Sequence, residues 1–381
     1  MIVKNTRGRF RVFVAVAFLV VLSASLVVGG CGGESDLPAA GSDTTAATGS
    51  DTTAGAGGGA SLAAGLNGAG ATFPEPLYVE WIGEFQAANP GATINYQGIG
   101  SGGGIEQFTK MTVDFGASDA PMKDEELAAA EAAGGASVLH IPTVFGAVVP
   151  AYNLEGVEEL KLDPETLAGI FLGSIGTWND PALVALNPDV ELPDQAIQVV
   201  HRSDSSGTTS IFTGYLDQVS AEWAEEVGMG KEVTWPVGIG GQGNDGVAAV
   251  VQQQAGSIGY VELSYATESG LPMVTLKNQA GNFVAPSLDS TSAAAVGVEF
   301  PEDLRFSASN STGTEAYPIV GATWILVFDK MKDAAKVEVL KAWLTWSLND
   351  GTWLAEELGY APLSDELKAL SLEKIGSIST F

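Results

Sequence analysis

The chain has 381 residues, enough for roughly two domains with a sizeable core. Its formal net charge is −29, from 17 basic and 46 acidic residues. A surface this acidic repels nucleic acid and anionic lipid headgroups, which argues against both as partners. The single cysteine, Cys31, cannot form an intramolecular disulfide.

The N-terminal region predicts an export signal over residues 1–30. Basic residues precede an apolar run over 12–28, and two small residues come directly before Cys31. The apolar run is also marginally long enough for a retained membrane anchor, so that alternative stays open. The position of Cys31 resembles that of the acylated cysteine of bacterial lipoproteins. Residues 31–61, rich in Gly, Ser, Thr and Ala, are expected to form a flexible tether.

Strand-like and helix-like segments alternate along the rest of the chain, which indicates an α/β class. Apolar periodicity predicts helices over 76–86, 105–111, 124–133, 164–173, 181–187, 208–218, 246–254, 336–348 and 351–358. Strands are expected over 92–96, 114–118, 257–261 and 317–328, and the apolar segment 138–152 is expected to hold strands and a crossover. Three tryptophans near the C-terminus, Trp343, Trp346 and Trp353, are expected in the core.

The segment from Arg202 to Ser210 combines a permanent cation with a helix start. Gly207, flanked by hydroxyl residues, precedes a helical pattern. A helix N-terminus presents unpaired N–H groups and the positive end of the helix dipole, so it favours an anion. The guanidinium fork of Arg202 suits a pair of phosphate or carboxylate oxygens. The segment therefore predicts an anion site.

Three other segments have similar features. Residues 68–74 place a hydroxyl before a helix opened by proline, residues 98–104 form a glycine run between strand and helix, and residues 114–121 end a strand with a carboxylate. Each has a plainer interpretation as a cap or a tight turn. For the arginine segment, that interpretation is a helix capped by Ser205 or Ser206, with Arg202 paired to Asp204.

Two enzyme classes compete with the anion site. The glycine run satisfies G-x-G-x-x-G through Gly98, Gly100 and Gly103, and Asp119 lies close to the offset of a ribose-binding acid, so a dinucleotide site is an alternative. Phosphatase or other hydrolase chemistry has little support, because the chain has no G-x-S-x-G motif and two histidines far apart in sequence. Because the two histidines lie far apart in sequence, a metal site also has little support. His201 is expected on the strand face opposite Arg202. Besides a binding protein and an enzyme, a surface adhesion protein is the third functional class that stays open.

Over residues 65–365 the sequence resembles the phosphate-binding protein of bacterial high-affinity phosphate ABC transporters. The matching stretches are residues 68–74, 94–101, 114–121, 202–208, 235–236, 243–248 and 256–262. The resemblance implies a type II periplasmic-binding-protein fold, with two α/β lobes joined by two crossovers. Lobe I would comprise residues 62–142 plus 316–381, and lobe II residues 143–315.

The resemblance also implies a set of phosphate ligands and no catalytic residue, cofactor or metal. The ligands would be Thr72, Phe73 (through its backbone N–H), Ser101, Asp119, Arg202, Ser206, Gly207 and Thr208. Asp119 would accept a proton carried by phosphate, and Asp204 would orient Arg202. The sequence departs from the family pattern at Gly102, where relatives often have a second serine, and at Ser205, where glycine is common.

The implied partners are inorganic phosphate and the permease subunits of the transporter. The protein would be a monomer, held by lipid on the outer face of the cytoplasmic membrane, and it would have no enzymatic activity and no nucleic-acid partner.

Overall fold

The computed structural model describes residues 62–381. The predicted signal segment, Cys31 and the predicted tether therefore lie outside the described residues. Within them, no helix is both long and apolar enough to cross a membrane.

Strands and helices alternate along the described chain. The strands are β1 (Gly65–Gly70), β2 (Thr93–Gly98), β3 (Phe115–Ser118), β4 (Val138–Asn153), β5 (Lys161–Leu162), β6 (Gln198–Arg202), β7 (Ile239–Gly241), β8 (Ser257–Glu262), β9 (Thr275–Lys277), β10 (Phe283–Val284), β11 (Val320–Phe328), β12 (Lys330–Met331), β13 (Ala361–Pro362) and β14 (Ser379–Thr380). The helices are α1 (Glu75–Ala88), α2 (Ser101–Thr109), α3 (Asp124–Gly134), α4 (Pro164–Leu172), α5 (Pro181–Leu186), α6 (Gly207–Val219), α7 (Ala221–Glu226), α8 (Gly243–Gln253), α9 (Leu263–Glu268), α10 (Leu288–Ala294), α11 (Ala334–Asn349), α12 (Thr352–Glu357) and α13 (Asp365–Ser377).

One nine-stranded sheet organises these elements. Its order is β2-β1-β3-β11-β4-β8-β6-β7, with β13 added to β4. The strands at one end, β2, β1 and β3, run parallel to one another, and so do β8, β6 and β7 at the other end. The central strands β11 and β4 pair antiparallel with each other and with their outer neighbours.

Strand β4 connects the two parallel groups. Its first part, Val138–Ala147, pairs with β11, and its second part, Val148–Asn153, pairs with β8. The sequence predicted strands and a crossover here. The structure has one 16-residue strand, nearly all of it buried. A strand covered on both faces reads as a continuous apolar run, which explains why the sequence pattern shows no internal boundary.

The helices predicted from apolar periodicity are present with shifted ends. The segment predicted as 76–86 is α1, and the segment predicted as 208–218 is α6. The prediction for the tryptophans was wrong in part. Trp343 is fully buried and Trp346 partly buried, but Trp353, the second residue of α12, is 45% exposed. A six-residue helix has too few turns for periodicity to show which face is covered.

The topology brings the segments singled out in the sequence to the carboxyl ends of parallel strands. The loop with Thr72 follows β1, Ser101 follows β2, Asp119 follows β3, Arg202 ends β6 and Ser206 directly precedes α6. In open α/β sheets, ligands bind at the carboxyl ends of strands where the direction of strand order changes. The described fold therefore places these residues where a ligand site is expected.

Candidate anion-binding site

Glycines allow the first two loops to approach each other closely. Gly70 and Gly100 have φ angles of +153° and +83°, which side-chain-bearing residues rarely adopt. A Cβ atom on Gly104 would lie 2.5 Å from the Cα atom of Gly70. The glycine run therefore lets the start of α2 pack directly on the end of β1, and Ser101 becomes the first, fully buried residue of that helix.

Ser101 connects the two ends of the sheet. Its Oγ atom accepts hydrogen bonds from the backbone N–H of Asp119, at 3.1 Å, and from that of Gly207, also at 3.1 Å. It donates to Oδ2 of Asp119 at 3.4 Å. Three residues that are far apart in the sequence thus meet around one hydroxyl group.

Asp119 is a buried carboxyl group with an elevated pKa. Its side chain is 3% exposed, and Oδ1 accepts a hydrogen bond of 2.8 Å from Thr323. Burial raises the pKa of Asp119 to about 7, while Thr323, the charge of Arg202 and Ser101 act in the opposite direction. A carboxyl group with this pKa can hold or release a proton near neutral pH.

Arg202 supplies the positive charge of the site. Its Nε and Nη2 atoms form a two-point ion pair with Asp204, at 2.8 and 2.5 Å, and Nη1 donates to Oγ1 of Thr208 at 3.3 Å. Burial favours a higher pKa for Asp204, but the hydrogen bonds and charge of Arg202 outweigh it and lower that pKa. Oδ1 of Asp204 also accepts from the N–H of Gly243 at 3.1 Å, so the carboxylate fixes the guanidinium in place.

The other predicted ligands lie beside these groups. Ser206 caps α6, with its Oγ atom accepting from the N–H of Thr209 at 3.1 Å, and Thr208 is fully buried in the first turn. Phe73 is also fully buried, and its carbonyl oxygen accepts from the Tyr360 hydroxyl at 2.7 Å. Thr72 is 4% exposed and contacts Asn244.

The two parts of the plainer interpretation are both present. Ser206 is a helix cap and Arg202 is paired to Asp204, as a structural role would require. These two observations therefore do not separate a ligand site from a structural feature. What separates them is the convergence of Ser101, Asp119 and Gly207, since capping α6 does not require a hydroxyl and a carboxyl group from the opposite end of the sheet.

The arrangement does not favour a dinucleotide site. In that motif the ribose-binding acid ends the strand adjacent to the glycine-rich turn. Here the glycine run follows β2 and Asp119 follows β3, and β1 lies between these two strands. In addition, Oδ2 of Asp119 accepts a hydrogen bond from Ser101 and Oδ1 accepts one from Thr323, so both carboxyl oxygens already have side-chain partners. His201 stacks on Trp235 with ring centroids 4.8 Å apart, and its Nδ1 atom lies 3.0 Å from the carbonyl oxygen of Arg202.

Sequence reasoning assigned no role to four residues that surround the site. Asn244 donates from Nδ2 to Oγ1 of Thr72 at 2.9 Å, and Tyr265 donates to the carbonyl of Thr72 at 2.5 Å. The Tyr360 hydroxyl donates to the carbonyl of Phe73, and the Glu262 side chain lies next to Tyr360. Asn244 and Glu262 fall within stretches that matched the family pattern, but pattern matching alone gives no chemical role.

Glu262 is a second buried carboxyl group. It is fully buried, and its Oε2 atom accepts hydrogen bonds from the backbone and side chain of Ser264. Within the part of the chain that the structure describes, Oε1 has no hydrogen-bond partner. Burial raises the pKa of Glu262 to about 8, so the group is largely protonated at neutral pH.

Among the described residues, 62–381, no group of three or more His, Cys, Asp or Glu side chains is arranged to hold a metal ion. The donors that converge in the site are hydroxyl groups, backbone N–H groups and one guanidinium. Proteins commonly use donors of these kinds to bind small oxyanions.

Comparison with known proteins agrees with this chemistry. A family model for the PBP superfamily domain matches residues 38–350. The phosphate-binding protein PstS of Xylella fastidiosa is 45% identical over 306 residues, covering 79% of this chain and 82% of that protein. Phosphate-binding protein PstS 3 of Mycobacterium tuberculosis is 36% identical over 367 residues, covering 94% and 97%. The chain belongs to the PstS phosphate-binding protein family.

A solved structure supports the fold assignment for this family member. It is a putative phosphate ABC transporter substrate-binding protein from Clostridium perfringens with bound phosphate, and it matches with a TM-score of 0.55 and 19% identity, covering 79% of this chain and all of that one. The predicted α/β class and type II periplasmic-binding-protein fold are thus confirmed.

The two departures from the family pattern lie against each other. The N–H of Gly102 donates to the carbonyl of Ser205 at 2.9 Å, and a Cβ atom on Gly102 would lie 2.2 Å from Oγ of Ser205. A serine at 102 together with Ser205 would collide. In this contact a serine at one position therefore leaves room for glycine at the other.

Proposed function

We propose that the protein binds inorganic phosphate outside the cytoplasm and delivers it to the permease of a phosphate ABC transporter. The observation that carries the proposal is the buried contact of Ser101, Asp119 and Gly207, which places a protonatable carboxyl group among hydrogen-bond donors. The printed names of the relatives describe phosphate-binding proteins, which supports the same ligand.

Asp119 provides a physical reason for preferring phosphate to sulfate. At pH 8, above the raised pKa of Asp119, the carboxyl group is mostly ionised, and phosphate still carries a proton that it can donate to this carboxylate in a hydrogen bond. Sulfate is fully ionised, so the same position would bury two facing acceptors without a proton between them. An unpaired buried acceptor costs about 1–3 kcal/mol, and more when it is charged. The carboxylate therefore discriminates by repelling sulfate.

Short-range interactions have to hold the anion, since the net charge of −29 opposes its approach. The ligands that we propose are Thr72, the Phe73 N–H, Ser101, Asp119, Arg202, Ser206, Gly207 and Thr208. The best small ligands reach about −1.5 kcal/mol per heavy atom, so phosphate with about five reaches about −7.5 kcal/mol, close to micromolar affinity. An efficient phosphate scavenger must work near that limit, which requires a rigid and dehydrated site.

Closure of two lobes would provide that dehydration. We propose residues 62–142 plus 316–381 as lobe I and residues 143–315 as lobe II. Contacts between these parts surround the site, including the Ser101–Gly207 hydrogen bond and an ion pair of 2.6 Å between Glu126 and Lys231. Hinge closure over a ligand is a general property of periplasmic binding proteins.

A lipid anchor would hold the protein at the membrane. We propose that the signal segment is removed and that Cys31 is acylated, so that a monomer is retained on the outer face of the cytoplasmic membrane. Mass spectrometry of the mature N-terminus tests this point. A diacylglycerol-modified Cys31 is expected, and an unprocessed N-terminus would contradict it.

A binding role without catalysis is part of the proposal, and the relatives are named as binding proteins. Thermal unfolding separates the two classes. Millimolar phosphate is expected to raise the unfolding temperature by several degrees, because a ligand that binds only the folded state stabilises it. A shift with NAD and none with phosphate would instead favour a dinucleotide-using enzyme.

A further inference from the structure

Asn244 lies at the centre of a hydrogen-bond network that joins two proposed phosphate ligands. It is the second residue of α8 and is fully buried. Its Nδ2 atom donates to Oγ1 of Thr72 at 2.9 Å and to Oγ1 of Thr208 at 3.3 Å. Its Oδ1 atom accepts from the backbone N–H of Glu262 at 3.1 Å. Both N–H donors of the amide group and one lone pair of its oxygen are thus used.

The backbone of Glu262 determines which way the amide group points. A backbone N–H can only donate, so it requires the oxygen of Asn244 on its side. The NH₂ group must then face the two threonines, and because it can only donate, both hydroxyl oxygens act as acceptors. Oγ1 of Thr208 accepts a second hydrogen bond, from Nη1 of Arg202 at 3.3 Å, and Oγ1 of Thr72 accepts one from the N–H of Asn244, also at 3.3 Å.

Hydroxyl groups whose lone pairs are occupied in this way keep their hydrogen for another acceptor. We propose that Asn244 is a positioning residue, which fixes the Thr72 and Thr208 hydroxyls as donors toward the bound oxyanion. The inference rests on the proposed phosphate-binding function. It adds a residue that need not touch the ligand but determines the polarity of two groups that do. It also ties the β1–α1 loop to the start of α6.

The Asn244→Asp variant tests this polarity directly. Aspartate has the same shape, but its carboxylate accepts hydrogen bonds, so both hydroxyls turn their hydrogens toward residue 244 and away from the anion. We expect phosphate affinity at pH 8 to fall on the order of 100-fold, as two donors are lost and a negative charge is added. Isothermal titration calorimetry of the purified protein with inorganic phosphate measures the change.

The pH dependence of the same variant separates polarity from a general loss of structure. As the pH is lowered, residue 244 of Asn244→Asp takes up a proton and regains one donor. The ratio of variant Kd to wild-type Kd is therefore expected to fall between pH 8 and pH 5. Taking the ratio removes the ionisation of free phosphate in solution, which is the same in both titrations.

A matched control is available at Asn187. It is 3% exposed, its Oδ1 accepts from the N–H of Lys161 at 2.8 Å, and its Nδ2 donates to the carbonyls of Lys161 and Leu183, both at 2.9 Å. It is not part of the site. Asn187→Asp is expected to lower the unfolding temperature but to leave phosphate affinity within about twofold of wild type, since it changes stability alone.

A second variant covers the case in which Asn244→Asp does not fold. Asn244→Ala leaves both hydroxyls unoriented, so we expect about a tenfold loss of affinity with no dependence of the Kd ratio on pH. Two outcomes would overturn the role of Asn244 without affecting the proposed phosphate-binding function. One is wild-type phosphate affinity in a folded Asn244 variant, and the other is a Kd ratio for Asn244→Asp that does not change with pH. A wild-type protein that does not bind phosphate would overturn the proposed function, and this inference with it.

Discussion

Arg202 is the one cation among the proposed phosphate ligands, and two of its three guanidinium nitrogen atoms are already bound to Asp204. Asp204 does not prevent Arg202 from binding an anion, because the carboxylate holds the guanidinium in a fixed direction and leaves Nη1 beside Thr208. At this scale the site combines an oriented ion pair with neutral donors. The contributions of the ion pair and of the neutral donors to the phosphate affinity can be measured separately.

Arg202→Ala is expected to weaken phosphate binding more than either Thr72→Ala or Ser206→Ala. Loss of a hydrogen bond to a charged group costs about 1.5–3 kcal/mol, and this variant also leaves the partly buried Asp204 without its cation. Calorimetric titration of the three variants gives the order of their effects. Should a hydroxyl deletion prove the more damaging change, hydrogen-bond dipoles would outweigh the ion pair.

The contact between Gly102 and Ser205 predicts a coupled pair of substitutions. Gly102→Ser alone introduces a Cβ atom 2.2 Å from Oγ of Ser205, so we expect weaker phosphate binding or a lower unfolding temperature. The double variant Gly102→Ser, Ser205→Gly removes the collision and should restore both. A double-mutant cycle measures the coupling, which we expect to be about 1 kcal/mol or more. Additive effects would show that the two positions do not interact.

At the scale of elements, the start of α6 must approach the start of α2 very closely. Gly207 allows this contact, since a Cβ atom there would lie 2.4 Å from Oγ of Ser101 and 2.6 Å from Cβ of Asp119. Gly207→Ala is therefore expected to reduce phosphate affinity by at least about tenfold, because a clash of this kind costs about 1–3 kcal/mol.

Gly214, in the same helix, is the control for Gly207. A Cβ atom on Gly214 meets one atom, Cε of Met229, at an ordinary distance of 3.7 Å. Gly214→Ala should leave phosphate affinity unchanged and stabilise the helix by about 0.5–1 kcal/mol. Equal affinity losses in Gly207→Ala and Gly214→Ala would show that the helix as a whole, rather than the close approach of Gly207, determines binding.

The turn from β8 to α9 carries the buried Glu262, whose pKa is raised from 4.5 to about 8. The folded state holds this proton to a higher pH than the unfolded state does, so the stability it contributes is present below about pH 4.5 and is lost as the pH rises through 8. Glu262→Gln removes the titration. We expect a flatter dependence of the unfolding temperature on pH between about 5 and 8, and a higher unfolding temperature at pH 8.

The exposed Glu84 of α1 provides the control for that measurement. Glu84→Gln makes the same substitution at an exposed surface position, so it measures the effect of a glutamate-to-glutamine exchange without burial. Asp119 also makes the stability decrease with rising pH, since its pKa is raised to about 7. A Glu262→Gln variant with the wild-type pH dependence would show that Glu262 is ionised in the folded protein at neutral pH.

At the scale of the whole molecule, the elements with long apolar periodicity were predictable. Helix α1 was predicted as 76–86 and found as Glu75–Ala88. The continuity of β4 was not predictable, since a fully buried strand shows no alternation of apolar and polar residues. The exposure of Trp353 depends on which neighbours cover the short helix α12, and no local pattern encodes this.

For the candidate site, the contact of its residues was predictable to the extent that they carry chemistry within short segments. Helix starts with hydroxyls and an arginine can be recognised locally, and the structure brings Ser101, Asp119 and Gly207 into contact. Asn244 and Tyr265 could not be assigned a role in the same way. Each contacts Thr72 across more than 170 residues of sequence, and only the fold brings them together.

The measurement that tests the central claim most directly is a calorimetric titration of the wild-type protein and Asp119→Asn with phosphate and with sulfate at pH 8. We expect the wild type to bind phosphate near micromolar affinity or tighter and to reject sulfate, because the carboxylate accepts the proton that only phosphate carries. In Asp119→Asn the gap between the two anions should narrow by about tenfold or more. A wild type that binds both anions equally, or a variant with unchanged preference, would contradict the account.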